Sequence, residues 1–505
     1  MAQLFLGLDL STQSLSAIVI DYDARRVVHE CSLTFDKSLP QYGTRNGVLP
    51  NPDPSIKHSP PSMWADALDL IFQQMHKERV PLEEVLAVSG SGQQHGSVYL
   101  KADGSLARPT SPIWMDSSTT AECVEIREAL GGVAAAAEAT GSDVFERFTG
   151  PQIRKFCKTE PQAYAQTAHI ALVSSYMAGL LAGTIAPIDI GDGAGMNLMD
   201  IRRRTWHRRA AEATAPDLAT KLPPLVEPWH VIGPVHSRFG LSKDALALVW
   251  SGDNPCSLIG LGLIREGMVA ISLGTSDTYF GYMKNCHVDA RGEGHVFVAP
   301  TGDYMSLVCF KNGSLAREKI RDRYRLDWNG FNKALAGTPP GNNGGILLPW
   351  FEPEIVPRVN KPGIHRFDLA ESDAAANCRA VVEAQMMSMR SHSAWMRGTP
   401  TQICATGGAS TNTAILQVMA DVMNCPVLRI EVSNSAALGA ALRAAHGYFL
   451  QTGKPRPWSE IIAGFTELIS QSRVNPRASV ARIYDELIRK YEQCEREALR
   501  AENRP

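Results

Sequence analysis

The stretch LFLGLDLSTQSLSAIVI, residues 4–20, joins two apolar runs through a short polar segment. Apolar runs that are bounded by Ser, Thr and Gln predict a strand, a turn and a second strand. A related pattern, MVAISLGTSDTYF, occupies residues 268–280 and has its own turn of Gly, Thr and Ser. The two turns, residues 9–14 and 272–277, begin 272 − 9 = 263 residues apart. This spacing is too long for a solenoid repeat and predicts a duplicated domain.

Both turns suit a bound phosphate. Small hydroxyl residues and glycine allow backbone N–H groups to point at an anion, and the hydroxyl groups add further donors. Asp9, which begins the first turn, cannot bind phosphate itself but can hold a magnesium ion or its water ligands. Each turn alone is more typical of an ordinary β-hairpin. With one turn in each half of the chain, a shared polyphosphate site and two plain hairpins both remain open.

The composition is that of a globular protein without a nucleic-acid or membrane partner. The 505 residues include 50 Lys and Arg and 52 Asp and Glu, a net charge of −2, with 44% hydrophobic and 20% charged residues. Nucleic-acid coats and membrane-surface binders carry a basic excess instead. The length allows two large domains. A polar, proline-containing segment after Thr205 places their boundary near residue 250, which gives domains of residues 1–250 and 251–505.

Cysteine usage and the apolar segments limit the compartment. The ten cysteines form no CxxC pair and the histidines form no HExxH motif, so neither a zinc ribbon nor a dithiol redox site is expected. The first residues lack the positive region of a signal peptide, and we therefore expect a cytoplasmic protein. Residues 170–188 carry no charge but contain Ser, Gly and Pro, which predicts a buried helix leading into a loop rather than a membrane span.

Helical periodicity predicts several helices around the strands. The predicted N-caps are Ser62, Thr119 (with Glu122 completing a capping box) and Ser435. A buried stripe is predicted for one helix, and two further apolar sets have helical spacing. The buried stripe is Trp64, Leu68, Ile71 and Met75; a second set, Ile415, Val418, Met419 and Val422, shares one helix face; the third is Ile483, Leu487, Tyr491 and Cys494.

Glycine motifs argue against the commonest nucleotide folds. The two candidate clusters give GxGxxxG (residues 90–96) and GxGxG (residues 191–195), and neither matches the dinucleotide fingerprint. There is no Walker A sequence, and the first turn leads into a strand, whereas a P-loop leads into a helix. Residues 406–409, Thr-Gly-Gly-Ala, precede a predicted helix, so they suit either a flat ligand against the backbone or a plain strand-to-helix turn.

Single residues carry weaker local signals. Asp253 lies in Gly-Asp-Asn-Pro, which locally is more typical of a turn. A lone histidine such as His95 is more often structural than catalytic. Trp328 and Arg147 have no local signal, since an aromatic residue usually packs and an arginine usually lies at the surface.

Taken as a set, these segments resemble one family over nearly the whole chain, the FGGY carbohydrate kinases. The matching stretches are DLSTQS (9–14), SGSGQQHGS (89–97), WMDSSTTAEC (114–123), ERFTGPQI (146–153), GDGAGMNLMDI (191–201), SGDNP (251–255), SLGTSDT (272–278), FKNGSLAREKIRD (310–322) and ATGGASTN (405–412). The set is highly specific, although any one stretch alone is weak. Ser11 stands where many members have Gly, and it still suits a phosphate turn.

The resemblance implies an α/β fold of two actin-like, ribonuclease H-like ATPase domains with a cleft between them. It implies a sugar site of Gln94, His95, Arg147, Asp253 and Asn254. It implies ATP contacts from Ser11, Thr12, Gln13, Gly274, Thr275, Trp328, Gly407, Gly408, Ala409 and Asn412. Asp9 would help to place Mg²⁺ and Asp253 would be the catalytic base. The match around Trp328 is loose.

The function implied by the resemblance is phosphoryl transfer from ATP to a ketopentose, with D-xylulose as the expected substrate. Two alternatives remain. One is another pentulose or polyol kinase of the same family, which a panel of substrates would distinguish. The other is a non-catalytic, actin-fold sugar sensor, against which Asp9, Asp253 and the two phosphate turns argue.

Overall fold

The computed structural model describes residues 2–430, 432 and 434–502. Its strands are β1 (Leu4–Leu10), β2 (Ser14–Asp21), β3 (Arg26–Thr34), β4 (His58–Ser59), β5 (Val85–Gly92), β6 (Ser97–Leu100), β7 (Ser111–Pro112), β8 (His169–Leu172), β9 (Ile188–Asp189), β10 (Leu225–Val226), β11 (Val231–Pro234), β12 (Leu246–Leu248), β13 (Ser251–Gly252), β14 (Met268–Leu273), β15 (Asp277–Met283), β16 (His295–Val298), β17 (Tyr304–Phe310), β18 (Ile346–Trp350), β19 (Gly363–Phe367), β20 (Gln402–Thr406), β21 (Val427–Ile430) and β22 (Leu468–Val474).

The α-helices alternate with these strands along the chain. They are α1 (Phe35–Ser38), α2 (Pro61–Lys77), α3 (Thr120–Leu130), α4 (Val133–Thr140), α5 (Thr149–Thr159), α6 (Pro161–Gln166), α7 (Val173–Ala182), α8 (Ile190–Gly193), α9 (Arg208–Thr214), α10 (Leu218–Lys221), α11 (Asp253–Gly260), α12 (Ser314–Arg323), α13 (Trp328–Gly337), α14 (Ala374–His392), α15 (Thr413–Met423), α16 (Ser435–Gln451), α17 (Trp458–Ile462) and α18 (Ala481–Glu502).

Two sheets, each of seven strands, organise the described residues. The first has the order β11-β12-β5-β1-β2-β3, with β13 also pairing with β5, and the second has the order β16-β17-β15-β14-β20-β21-β22. In the first sheet, β1 forms an antiparallel hairpin with β2 and runs parallel to β5. In the second, β14 forms an antiparallel hairpin with β15 and runs parallel to β20. The predicted strand-turn-strand unit is therefore present in both halves.

Helix α16 lies between β21 and β22 of the second sheet in the sequence but packs on the first sheet. Its alanines share a buried apolar cluster with Phe5 and Ile18 of the first hairpin. Gly260 of α11 and Gly439 of α16 allow these two helices to touch, since a Cβ at Gly439 would lie 1.8 Å from the Cys256 carbonyl oxygen. Because β13 also belongs to the first sheet, chain from both sides of residue 250 builds that layer. The boundary at 250/251 stays a prediction.

The helix caps differ from those predicted. Helix α2 begins at Pro61 with Pro60 as its N-cap, which replaces the predicted Ser62. Helix α16 is capped by Asn434, whose Oδ1 accepts from the Ala437 amide at 2.9 Å. Asn434 is as good a cap as the predicted Ser435, so only the backbone geometry decides between them.

The capping box predicted at α3 is also wrong. Thr119 is the N-cap residue, but its side chain makes no capping hydrogen bond. Its hydroxyl donates instead to the Glu146 carbonyl at 2.8 Å. A tertiary partner therefore orients the hydroxyl group, whose oxygen would accept from a backbone N–H of the first turn in the local motif.

The predicted apolar stripes are buried in α2 and α15. The helix predicted from Ile483, Leu487, Tyr491 and Cys494 is α18, in which the last three are buried and Ile483 is 41% exposed. The uncharged run at residues 170–188 contains β8 and then α7, which spans ten residues and ends before Gly183. Within the described part of the chain, no helix has the length and apolar character needed to span a membrane.

Candidate active site

Three parallel strands of the first sheet end at one edge and bring the predicted sugar-site segments together. Strand β5 pairs in parallel with both β1 and β13, with Asp9 opposite Ser91 and Gly252 opposite Gly92. The chain leaves β5 into Gln94 and leaves β13 into Asp253. Because parallel strands end on the same side of a sheet, side chains that lie 244 residues apart in sequence (253 − 9) become neighbours.

Asp9, the predicted magnesium residue, is a buried acid with a free oxygen. It is 8% exposed, and burial raises the pKa of its carboxyl to about 6. Its Oδ2 lies 3.5 Å from the amide nitrogen of Asn434. Its Oδ1 and the buried hydroxyl of Ser91 each lack a hydrogen bond of standard geometry among the described residues, and the neighbouring Ser91 hydroxyl lowers the pKa of Asp9 against the effect of burial. An unpaired buried carboxylate oxygen is costly to maintain, and a cation or its water ligands would satisfy it.

Asp253, the predicted base, is the first residue of α11. Burial and, after it, the negative charge of Asp9 raise the pKa of Asp253 to about 7. The amide of Asn254 donates to Asp253 Oδ1 at 3.0 Å and to Gln94 Oε1 at 2.7 Å. One side chain therefore orients both the carboxylate and the neighbouring glutamine.

Gln94 contacts a further acid that the sequence analysis left without a role. Its amide nitrogen lies 3.5 Å from Asp192 Oδ1, and Ser174 donates to the other oxygen of Asp192. Burial, together with the charges of Asp189 and Asp253, raises the pKa of Asp192 to about 8, against the effect of the Ser174 bond. The signal for Asp192 was its place in the quoted GDGAGMNLMDI stretch.

His95 is buried in a fixed orientation. Its Nδ1 lies 2.8 Å from the Gly195 carbonyl oxygen, which can only accept, so Nδ1 carries the proton. Burial and the charge of Arg147 lower the pKa of His95 to about 3, so the ring is neutral at pH 7. The ring centroid of Phe148 lies 4.2 Å away. The structure thus leaves Nε2 of His95 as an acceptor.

Arg147 lies in the loop before α5. Its Nη2 lies 3.1 Å from Nε2 of His295, which begins β16 of the second sheet. Sequence analysis had no signal for His295, because nothing in its local pattern separates it from a core histidine.

The first turn is held by its own hydroxyl groups and by one tryptophan. The hydroxyl groups of Ser11 and Ser14 lie 2.8 Å apart. Thr12 accepts a hydrogen bond from the indole N–H of Trp114 at 2.9 Å and has Gln93 Oε1 at 3.4 Å. The Gln13 side chain is exposed, while its carbonyl accepts from the Phe35 amide at 2.9 Å.

The second turn lines a cavity of about 640 Å³ at the end of the second sheet. Strands β14 and β20 are parallel, so the turn after β14 and the glycines after β20 lie side by side. Predicted ATP residues that line the cavity are Gly274, Thr275, Trp328, Gly408, Ala409 and Asn412. Gly407 has a different task. At φ +81 it packs on β14, and a Cβ there would lie 2.6 Å from the Leu273 carbonyl oxygen.

Trp328 and Asn412 stand on two helices that border this cavity. Trp328 begins α13 and is 38% exposed, with the Arg321 guanidinium carbon 4.5 Å from its ring centroid. Asn412 is the N-cap of α15, and its amide nitrogen donates to Asn332 Oδ1 at 2.7 Å. An exposed aromatic face and small residues beside a phosphate turn are what a flat nucleobase needs.

Comparison with models of known protein families identifies the family to which this architecture belongs. The model of the FGGY family of carbohydrate kinases, N-terminal domain, matches residues 4–260, and that of the C-terminal domain matches residues 269–448. This chain belongs to the FGGY family of carbohydrate kinases. It is 41% identical to xylulose kinase from Rattus norvegicus over 98% of this chain and 97% of that protein. It is 42% identical to xylulose kinase 2 from Arabidopsis thaliana over 92% of this chain and 91% of that protein.

Solved structures of the family share the fold. Xylulose kinase from Rhodospirillum rubrum matches with a TM-score of 0.86 at 20% identity, over 99% of this chain and all of that one. Xylulose kinase from Bifidobacterium adolescentis matches with a TM-score of 0.81 at 24% identity, over 96% and 99% of the two chains. The expected pair of actin-like α/β domains is confirmed, and the protein is a carbohydrate kinase.

Proposed function

We propose that this kinase transfers the γ-phosphoryl group of ATP to D-xylulose and forms D-xylulose 5-phosphate. The observation that carries the proposal is the group formed by Asp253, Asn254 and Gln94 beside Asp9 at the edge of the first sheet. A sugar needs several polar partners and one proton acceptor, and this group supplies both. The names of the relatives, xylulose kinase from Rattus norvegicus and xylulose kinase 2 from Arabidopsis thaliana, favour D-xylulose within the family.

Asp253 acts as the general base in this proposal. A sugar hydroxyl is a poor nucleophile, and a carboxylate within hydrogen-bonding reach can accept its proton as the oxygen attacks phosphorus. A pKa raised to about 7 keeps Asp253 largely ionised at slightly alkaline pH while making it a better proton acceptor than an ordinary aspartate. Gln94, His95, Arg147 and Asn254 would hold the ketose with its terminal hydroxyl toward Asp253.

Asp9 fits a magnesium ion, because its buried Oδ1 lacks a partner among the described residues. Oxygen ligands are those that Mg²⁺ prefers, and it usually keeps several waters. When bound, the ion neutralises charge on the phosphates. Asp9 would hold the ion or one of its waters, and the backbone amides and hydroxyl groups of residues 11–13 would orient the γ-phosphate from the side of the sugar.

The nucleotide would occupy the cavity at the end of the second sheet. Gly274 and Thr275 would contact phosphate oxygens, Gly408, Ala409 and Asn412 would line the nucleoside, and Trp328 would pack on the adenine. Gly407 would act indirectly, by holding the neighbouring glycine against β14. Residues 1–250 would thus supply the sugar site and the first phosphate turn, and residues 251–505 the catalytic base and the nucleotide site.

A coupled assay of ADP release across D-xylulose, L-xylulose, D-ribulose, L-ribulose and glycerol tests the proposal. We expect D-xylulose to give the highest kcat/KM, with ADP release and sugar phosphate formed one to one. A higher kcat/KM for another member of the panel would assign the protein to a different pentulose or polyol kinase. Sugar binding without ADP release would favour the sugar sensor.

A further inference from the structure

We infer that His295 of the second sheet is a positioning residue for Arg147, and that it sets sugar recognition from across the two halves of the protein. The inference rests on the proposed function. His295 is 1% exposed, and its Nε2 lies 3.1 Å from Arg147 Nη2. Arg147 belongs to the loop between α4 and α5, whereas His295 begins β16 beside β17. The contact therefore joins a residue of the sugar site to the other sheet.

The hydrogen bonds fix the tautomer of His295. A guanidinium has only donors, so Nε2 of His295 must accept from Arg147 and Nδ1 must carry the proton. Nδ1 lies 3.2 Å from the Ser142 hydroxyl oxygen, which can accept it. Burial, followed by the positive charge of Arg147, lowers the pKa of His295 well below its usual value, which keeps the ring neutral. Because Ser142 and Arg147 flank the same short loop, one ring holds the loop at two points.

Aromatic packing holds the ring in place. The ring centroids of Phe145 and Phe148 lie 5.1 Å and 5.3 Å from that of His295. Phe148 also packs on His95, with a centroid separation of 4.2 Å. Phe148 thus lies between the two histidines, and a shift of β16 would reach both Arg147 and His95.

The guanidinium of Arg147 has no ion-pair partner among the described residues and is available to a ligand. No carboxylate of the described residues lies within ion-pair distance of Arg147, and its side-chain hydrogen bond goes to a neutral ring. Its side chain lines a cavity of about 430 Å³ that is also lined by Trp114 of the first half and Lys311 of the second. A neutral acceptor orients the guanidinium without neutralising it, which suits a group that must donate to sugar oxygens.

Two substitutions at position 295 test the inference. His295→Phe keeps an aromatic ring for Phe145 and Phe148 but removes the acceptor, and we expect the KM for the ketose to rise about tenfold, the scale of a lost hydrogen bond to a charged group. We expect the KM for ATP to change by less than about twofold, since neither His295 nor Arg147 lines the nucleotide cavity. His295→Gln offers Oε1 as a replacement acceptor and should restore most of the ketose KM.

The same effect should vanish when Arg147 is removed. In an Arg147→Gln background, which itself raises the ketose KM, His295→Phe should cause less than about a twofold further change, because the two residues act as one unit. His446→Gln is the matched control: His446 is a buried histidine whose pKa burial also lowers, to about 4, and it stacks on Trp458 in α17. It should leave the ketose KM unchanged.

The outcomes separate the two proposals. The ketose used in these KM measurements is the ketose of the panel that the wild type phosphorylates best. If the wild type phosphorylates none of the panel, the proposed function is wrong and this inference falls with it. If the wild type is active but His295→Phe leaves the ketose KM unchanged, or raises it equally in the Arg147→Gln background, His295 is only a packing residue. Equal KM increases for ketose and ATP in both position-295 variants would also overturn the inference.

Discussion

The two sheets share one arrangement of hairpin and parallel neighbour, but they differ in whether the buried aspartate beside the turn has a positively charged partner. In each sheet a hairpin turn follows a strand that has a parallel neighbour. At the first edge, Asp9 is buried with an unpaired oxygen and faces a second acid, Asp253. At the second edge, Asp277 is buried too, but Arg317 donates to both of its oxygens at 2.8 Å and 3.2 Å.

The contrast between Asp9 and Asp277 indicates which of the two sheets carries the reactive acids. Burial raises the pKa of Asp277 as it does for Asp9, but the Arg317 charge opposes that rise directly. The buried Asp277–Arg317 pair is therefore neutral as a pair, and the turn beside it presents glycines and hydroxyl groups. The first edge carries uncompensated acids, which a cation and a sugar hydroxyl can satisfy. The predictions below ask whether this division holds.

The largest expected effect is at Asp253. Asp253→Asn keeps the shape and can still hydrogen-bond a sugar, but it cannot accept a proton, so turnover should fall by about 10²- to 10⁴-fold. Calorimetry should show the ketose binding with nearly unchanged affinity. Retention of more than about a tenth of wild-type turnover, well outside the range for a general base, would show that Asp253 is not the base.

The pH dependence supplies a control for that variant. Because burial and Asp9 raise the pKa of Asp253 to about 7, the ionised base is lost as the pH falls through this value. Wild-type kcat/KM should then fall about tenfold per pH unit below pH 7. The residual activity of Asp253→Asn should lack this limb. A limb of the same midpoint in the variant would assign the titration to another group, such as Asp9.

The next largest effect is expected at Asp9. Asp9→Asn removes the charge that would hold magnesium or its water, and turnover should fall about 10- to 100-fold, the range found when supporting groups of a metal site are lost. Turnover measured across a magnesium series should recover in part at high concentration. The same series should not rescue Asp253→Asn. If the turnover of Asp9→Asn stayed equally low at every magnesium concentration, Asp9 would not be the residue that places the ion.

The strands and turns at the two edges could be predicted from the sequence better than the side-chain contacts there. The two strand-turn-strand units follow from local apolar runs and turn residues, and the glycines after β20 mark a strand-to-helix turn, in which Gly407 takes φ +81. Parallel pairing then brings Asp9, Gln94 and Asp253 together without further information.

Long-range partners could not be predicted. Asn434 caps α16 and contacts Asp9 across 425 residues, and His295 meets Arg147 across 148. Neither residue has a local pattern that sets it apart, because its partner is chosen by the packing of one half against the other. The missing capping box at Thr119 has the same cause, since a hydrogen bond to the distant Glu146 carbonyl orients its hydroxyl group.

A smaller effect is expected at the nucleotide cavity. Trp328→Ala removes an exposed aromatic face, which contributes on the order of 1 kcal/mol beyond its buried area, so the KM for ATP should rise about fivefold. The ketose KM should stay unchanged, and Trp328→Phe should restore most of the affinity. An equal rise in the KM for ATP and for the ketose would show that Trp328 stabilises α13 rather than packing on the adenine. This separation tests whether the second edge serves the nucleotide alone.

The smallest effect on the reaction is expected at Asp277, the counterpart that completes the comparison. Asp277→Asn should leave kcat within about threefold of wild type, because Asp277 offers no free oxygen to a substrate, but it leaves the buried Arg317 charge without its anionic partner. Removing one partner of a buried ion pair typically costs about 3–5 kcal/mol of folding stability, so the melting temperature should drop clearly. The double variant Asp277→Asn with Arg317→Met should regain much of that stability, since it removes the unpaired charge as well. Thermal melts and turnover of the same preparations decide the matter. If Asp277→Asn lost turnover on the scale of Asp9→Asn while its melting temperature stayed near wild type, both edges would carry reactive acids, and the division between them would be wrong.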